Sequence, residues 1–300
     1  MLENIMIGHS LELPKHLQYK PLLQHIDHEG KFISSSLGRK VVRDDTNEVV
    51  GIVKSRARPT PFSDVWYPLV EGLEKSDLDL SGVEVAWMSS NNGARMVADI
   101  TLKNYPYDRI VGEPMALAMR VYNSVDGSLS YKIVAYIKRL ACLNGMPSIA
   151  ENTSVTFKHT AGTDPAKIGE RASTWPAALE NTAHVFNWMK NIQIERDNTQ
   201  NFLETEFCIT KKPSGITVNK TWLDTMMSLS DRYSASIGPN TYALYNALTH
   251  YGSHVDRDSL RGADLCDRAL RQEKDVKNLV QGKAFRKLIK YDEFEQQLAA

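Results

Sequence analysis

The 300-residue chain lacks the features of an exported or membrane-spanning protein. Its three cysteines, Cys142, Cys208 and Cys266, lie far apart and form no C-x-x-C pair, so neither a disulfide framework nor a zinc knuckle is indicated. No apolar run approaches the roughly 18 residues of a membrane span, and the first ten residues do not resemble a signal peptide. We therefore expect a cytoplasmic protein that has no contact with membranes.

Local catalytic motifs are also missing. The sequence contains no P-loop, no G-x-G-x-x-G and no G-x-S-x-G elbow. The best metal candidate is the pair His250 and His254 with Asp256, but the Glu of metalloproteases is absent and Gly252 weakens the helix between the histidines. A helix end with a partly exposed histidine pair is the favoured interpretation. We expect no metal, no cofactor and no enzyme, although distant residues can still meet in a fold.

The chain has no net charge, since 36 Lys and Arg balance 36 Asp and Glu. This balance excludes a uniformly basic protein that coats nucleic acid, but the charges are unevenly distributed. Residues 38–58 carry a local +3, residues 69–84 a local −4 and residues 256–290 a local +4. A basic groove is therefore compatible with neutrality, and the oppositely charged blocks favour self-association into a ring or filament.

Three successive hairpin patterns predict an antiparallel sheet. The hairpins join residues 38–43 to 49–53, 83–88 to 94–102 and 115–122 to 129–139, and polar or glycine-containing turns separate the strands. Helical spacing between the first two hairpins predicts a helix at 62–73. After the hairpins, a long helix is predicted to start at Asp164 and Pro165 and to bend at Pro176, and further helices are predicted at 219–230, 240–251 and 274–290. The predicted fold class is α+β, with hairpins followed by a long helix and a helical C-terminal part, and with helices on one face of the sheet.

Three regions are expected along the chain. Residues 1–30 form an N-terminal arm with short helical turns, residues 31–200 the α+β core, and residues 201–300 the helical part. The arm is rich in histidine, and Pro14 and Pro21 break any long helix within it.

The strand around Tyr136 has the most distinctive pattern. Alternation assigns Tyr131, Ile133, Ala135 and Ile137 to the core face and Lys132, Val134, Tyr136 and Lys138 to the opposite face. Cations that alternate with an aromatic ring suit a single strand of nucleic acid, because ammonium groups neutralise phosphates and the ring stacks on bases. An ordinary solvated sheet face is the alternative interpretation. The candidate nucleic-acid-binding residues are Lys132, Tyr136, Lys138, Arg139, Arg120, Tyr122, Lys158, His159, Arg39, Lys40 and Arg43.

Several segments together resemble a family of phage-, prophage- and plasmid-encoded proteins that is known only as a domain of unknown function. They are 41–53, 121–128, 139–145, 157–160 and 240–251, in the order of the family, and the main departure is the Lys-Ser-Arg-Ala-Arg-Pro-Thr-Pro run at 54–61. The resemblance implies a mobile-element protein of the bacterial cytoplasm. Its plan is similar to that of the single-strand annealing recombinases of the Redβ and RecT kind, an analogy at the level of the fold.

These observations predict a phage protein that binds or anneals single-stranded DNA in replication or recombination, as a homo-oligomer. A non-catalytic module that binds a host protein is the alternative. An enzyme acting on nucleic acid is the third possibility.

Overall fold

The computed structural model describes residues 6–8, 10–28, 31–32, 38–104, 107–140, 144–146, 154–157, 174–213, 215–254 and 265–299. The strands are β1 (Met6–Gly8), β2 (Pro21–Gln24), β3 (Asp27–His28), β4 (Lys31–Phe32), β5 (Arg39–Arg43), β6 (Val49–Val53), β7 (Glu84–Ser90), β8 (Arg95–Leu102), β9 (Met115–Ser124), β10 (Tyr131–Arg139), β11 (Asn144–Met146), β12 (Ser154–Phe157), β13 (Ile209–Lys212) and β14 (Gly215–Val218). The helices are α1 (Phe62–Glu74), α2 (Asp108–Val111), α3 (Trp175–Lys190), α4 (Arg196–Phe202), α5 (Lys220–Ile237), α6 (Thr241–Ser253), α7 (Leu265–Val280), α8 (Lys283–Leu288) and α9 (Tyr291–Ala299).

The main sheet is an antiparallel meander in the order β1, β7, β8, β9, β10 and β11, and β12 also pairs with β10. At the turn between β7 and β8, Asn91, Asn92 and Gly93 all adopt positive φ, the backbone conformation that Asn and Gly tolerate best. The predicted α+β fold with consecutive antiparallel strands is confirmed. The three predicted hairpins correspond to β5–β6, β7–β8 and β9–β10.

A small sheet in the order β2, β5 and β6 lies against the turns of the main sheet. Tyr19 donates to the carbonyl of Gly93 at 2.8 Å, and Asn91 donates to the carbonyl of Val50 at 3.0 Å. A β-carbon at Gly51 would lie 2.6 Å from that of Asp126, so only glycine allows the close approach of the two sheets there. The predicted N-terminal arm contains the expected helical turn, Lys15–Leu17, and buries Leu17 in the common core.

Helices cover both faces of the main sheet. On one face, Trp66 of α1 contacts Trp87 with ring centroids 4.5 Å apart, and Tyr131 donates to the carbonyl of Val65. On the opposite face, Glu273 of α7 accepts a hydrogen bond from Arg120 at 2.7 Å. The face that carries the charges is therefore covered by α7, whereas α1, which precedes β7 in the chain, lies on the other face.

Two of the predicted helices differ in their limits. Pro176 lies in the first turn of α3, where proline is tolerated, and not in the interior of the described helix. The predicted start of this helix at Asp164 and Pro165 lies outside the described residues. The predicted helix 274–290 is interrupted at Gly282, whose backbone becomes extended and starts α8, and this turn directs Phe285 into the core.

Within the described ranges, we find no helix that combines the length and the apolar character needed to cross a membrane.

Candidate nucleic-acid interface

The predicted binding face of β10 is buried. Tyr122 and Tyr136 are 3% and 4% exposed, and Lys132, Arg120 and Lys138 are half-buried between the strands and α7. Register confirms that they share one face, since Lys132 is opposite Tyr122 and Val134 is opposite Arg120. Alternation therefore identified correctly which side chains share a face. Tyr122 and Tyr136 are nevertheless too deeply buried for bases to stack on their rings.

Carboxylates neutralise the cations of this face in what we call the strand-face network, formed by Asp99, Arg120, Tyr122, Tyr136, Lys138 and Glu273. Arg120 donates to Glu273 at 2.7 Å and to Asp99 at 3.1 Å. The hydroxyl of Tyr122 donates to Glu273, and that of Tyr136 donates to Asp99. Lys138 lies 3.6 Å from Asp99 and donates to Thr101 at 3.0 Å. The network connects three strands to α7.

Burial and charge shift the ionisation of this network. Burial alone would raise the pKa of Asp99, but Arg120, Lys138 and the hydrogen bonds of Tyr136 and Arg120 outweigh it and hold that pKa below its usual value. Burial raises the pKa of Tyr136 well above its usual value. Burial also lowers the pKa of Lys132, and the nearby Lys277 adds to that effect. Asp99 is thus ionised at neutral pH, and the tyrosines act as hydrogen-bond donors.

A small cavity adjoins the network. Arg120, Tyr136, Thr249, Ser253 and Glu273 are among the residues that line its space of about 20 Å³. Such a volume accommodates about one water molecule and is far too small for a nucleobase.

Arg139 belongs to a second ion pair at the end of β10. It donates to Glu113 at 2.6 Å, and the same carboxylate accepts a hydrogen bond from Tyr242 of α6 at 2.6 Å. Arg139 is 7% exposed, and its guanidinium lies 5.8 Å from the ring centre of Tyr233. Arg139 therefore connects the sheet to α5 and α6.

Of the candidates on β5, Arg43 is buried. It donates to Asp45, to the carbonyl of Asn92 at 2.8 Å and to the carbonyl of His16 at 3.1 Å, and it lies 4.0 Å from the ring centre of Tyr19. These bonds fix the turn between β7 and β8. Arg39 and Lys40 are half-buried, and Arg39 donates to the carbonyl of Ser55 at 2.6 Å. Lys158 and His159 lie outside the described residues.

The small sheet offers an accessible surface instead. Its outer face, which we define by Leu22, Gln24, Lys40, Val49 and Ile52, points away from the main sheet. Register places Gln24 opposite Lys40 and Lys40 opposite Ile52. Leu22 and Val49 are both opposite Val42, which is 3% exposed, so these two side chains flank a buried residue. Leu22, Val49 and Ile52 are 43%, 53% and 66% exposed. Clustered exposed aliphatic side chains on a sheet indicate a contact surface.

Three cations lie in the segment that follows β6 directly. This basic loop, defined by Lys54, Arg56 and Arg58, has all three side chains exposed and contains a turn closed by the bond from Ala57 N to Lys54 O. Among the residues that the structure describes, no carboxylate lies within 4.0 Å of any of the three. The local charge of +3 at residues 38–58 predicted a basic surface in this region. The sequence patterns did not predict the exposed aliphatic side chains of the outer face.

The histidine pair lies at the end of α6. The rings of His250 and His254 stack with centroids 4.2 Å apart, and His250 shares a hydrogen bond of 3.0 Å with Tyr233. Burial, followed by His254 and Arg232, lowers the pKa of His250 to about 4. No cluster of three potential metal ligands occurs in the described parts of the chain, and Asp256 lies outside them.

A family model described as a domain of unknown function, DUF932, matches residues 80–284. No curated protein and no solved structure matches the chain. The matched segment contains the strand-face network and ends before α9, whereas the small sheet and the basic loop precede it.

Proposed function

The chain belongs to DUF932, a family defined by a domain of unknown function, and we propose that it binds single-stranded DNA through the outer face and the basic loop. The observation that carries this proposal is a combination at the end of one strand, where Ile52 and Lys54 are separated by a single residue. Three exposed cations that have no carboxylate partner among the described residues lie beside exposed aliphatic side chains.

Exposed cations without carboxylate partners favour a polyanion. A cation that already has a buried carboxylate must break that pair before it can bind a phosphate, whereas Lys54, Arg56 and Arg58 have no such pair among the described residues. Phosphate binding by such residues releases counterions, which drives association in a salt-dependent manner. The basic loop is therefore better suited to phosphates than the strand-face network.

The aliphatic side chains favour a single strand over a duplex. Leu22, Val49 and Ile52 can contact base faces, and these faces are accessible only where bases are unstacked. Three strands are about 10 Å wide and five residues about 17 Å long, dimensions that suit a few nucleotides. Aliphatic side chains contact base faces without reading base edges, so we expect any sequence preference to come only from Gln24 and Lys40.

The proposal includes a finer role, which rests on the analogy of fold with the single-strand annealing recombinases and not on the family resemblance. We infer that the protein anneals complementary strands during phage DNA replication or recombination in the cytoplasm of a bacterial host. The matched segment begins at residue 80, so the interface lies in a part of this chain that the family model does not cover. Annealing is measured separately from binding, with two complementary labelled oligonucleotides.

The direct test measures the affinity of a labelled 20-nucleotide oligothymidine by fluorescence anisotropy as a function of salt. We expect the triple variant Lys54→Ala, Arg56→Ala, Arg58→Ala to bind about 10–100-fold more weakly near 0.1 M salt, with a slope of log K against log salt reduced by about 2. The triple variant Lys75→Ala, Lys274→Ala, Lys287→Ala removes the same charge from exposed positions elsewhere and should bind like the wild type.

A second variant tests the apolar contribution. Ile52→Asp should weaken binding, whereas Ile216→Asp, at a position that is also 66% exposed, should not. Equal binding by the basic-loop variant and the wild type, or no binding by the wild type at low salt, would overturn the proposal and favour the alternative of a protein-binding module.

A further inference from the structure

The hairpin of β13 and β14 carries exposed apolar side chains on one face. Ile216 and Val218 alternate along β14 and are 66% and 40% exposed, and register places Lys211 opposite Ile216 and Ile209 opposite Val218 on the same face. Every residue of β14 is exposed. A two-stranded hairpin is marginally stable alone, and its apolar side chains gain from burial against another surface.

A groove begins where this hairpin leaves the body of the protein. It has a volume of about 760 Å³, and Ile209 belongs to both the hairpin and the groove wall. Phe207, Trp222 and Leu279 supply apolar walls, and the rings of Phe207 and Trp222 lie 4.7 Å apart. The hairpin face and the groove are thus continuous through Ile209. The hairpin forms the projecting part of this surface, and Phe207, Trp222 and Leu279 form the apolar walls of its concave part.

The indole of Trp222 adds a polar requirement. Its Nε1 is buried and has no hydrogen-bond partner among the described residues. Leaving a buried donor unsatisfied costs about 1–3 kcal/mol, so a rotation of the indole that brings Nε1 to an acceptor at the groove surface is favoured. A backbone carbonyl of an incoming extended segment has the required chemistry.

The charges of the two parts are complementary. Glu206 and Asp275 line the groove together with the single cation Lys283. The sequence of the hairpin, residues 209–218, contains Lys211 and Lys212 and no Asp or Glu. A basic, apolar hairpin therefore matches an acidic, apolar groove.

We propose that this surface binds a second copy of the chain, with the hairpin of each copy lying in the groove of the other. Because the hairpin and the groove adjoin through Ile209, a two-fold arrangement satisfies both at once and closes as a dimer. This differs from the ring or filament that the charge blocks predict. The inference is independent of the proposed DNA binding, since the two surfaces have no residue in common.

The test measures the mass of the full chain by analytical ultracentrifugation over a range of micromolar concentrations. We expect a dimer for the wild type and a monomer for Ile216→Asp. Ile52→Asp is a matched control, because it introduces the same charge at a position of the same 66% exposure, and it should stay dimeric. Circular dichroism verifies that each variant is folded.

A groove-side variant keeps the test independent of the hairpin. Asp275→Lys replaces an exposed carboxylate of the groove and should raise the dissociation constant of the dimer at least about tenfold, an effect that high salt reduces. A monomeric wild type, an assembly larger than a dimer, or a dimer that persists in both Ile216→Asp and Asp275→Lys overturns the proposal. A loss of DNA binding with an intact dimer, or the reverse, distinguishes failure of one proposal from failure of the other.

Discussion

Two groups of basic side chains in this protein have similar sequence patterns and different surroundings. On the main sheet, Arg120 pairs with Asp99 and with Glu273 of α7, and Lys138 pairs with Asp99. Lys54, Arg56 and Arg58, in the basic loop, are exposed and have no carboxylate partner among the described residues. A cation that alternates with aromatic residues can thus serve internal packing, whereas the cations available to a partner lie in an irregular loop.

Physical chemistry explains why the difference matters. A half-buried cation between strands and a helix loses hydration, and a neighbouring carboxylate must compensate for it. An exposed cation keeps its hydration and exchanges salt ions for a phosphate at little cost. We therefore expect substitutions in the strand-face network to affect mainly the free energy of unfolding, and substitutions in the basic loop to affect mainly binding.

The largest expected effect follows the removal of Arg120. Arg120→Met fills the space but leaves Asp99 and Glu273 without their shared cation, so the free energy of unfolding should fall by about 3 kcal/mol. Urea denaturation measures the change.

The control for this variant is Arg196→Ala. Arg196 pairs with Asp231 at 3.0 Å, but their side chains are 60% and 48% exposed, so the loss should be below about 0.5 kcal/mol. Equal losses in the two variants would contradict a structural role for the strand-face network.

A smaller effect concerns pH. The pKa of Asp99 is depressed in the folded state, so the unfolded chain binds its proton first as the pH falls, and the associated stability disappears below about pH 4. Asp99→Asn removes this titration. The slope of the free energy of unfolding against pH should therefore decrease between pH 5 and 2.5, by the equivalent of up to one bound proton.

Much of the fold follows from local patterns. Alternating apolar residues with Asn and Gly between them specify the hairpin of β7 and β8, and Asn240 caps α6 by accepting a hydrogen bond from the amide of Ala243. The interruption at Gly282 was missed, since a single glycine within a helical pattern does not specify whether the helix continues.

The surroundings of the candidate residues were not predictable in the same way. Glu273 is 153 residues from Arg120 in the chain, and nothing in the local pattern of either residue indicates the other. The exposure of Ile52 depends equally on which side of the small sheet faces the main sheet. Sequence alternation identifies a face, but only tertiary packing determines whether that face is covered.

The smallest expected effect is on the stability of the basic-loop variant. Lys54→Ala, Arg56→Ala and Arg58→Ala remove exposed side chains that have no ion pair among the described residues, so together they should change the free energy of unfolding by less than about 0.5 kcal/mol. Urea denaturation under the conditions used for Arg120→Met measures this change. A variant that loses DNA affinity and keeps its stability separates binding cations from structural ones, whereas a loss of stability comparable to that of Arg120→Met would mean that the two groups of cations do not differ in role.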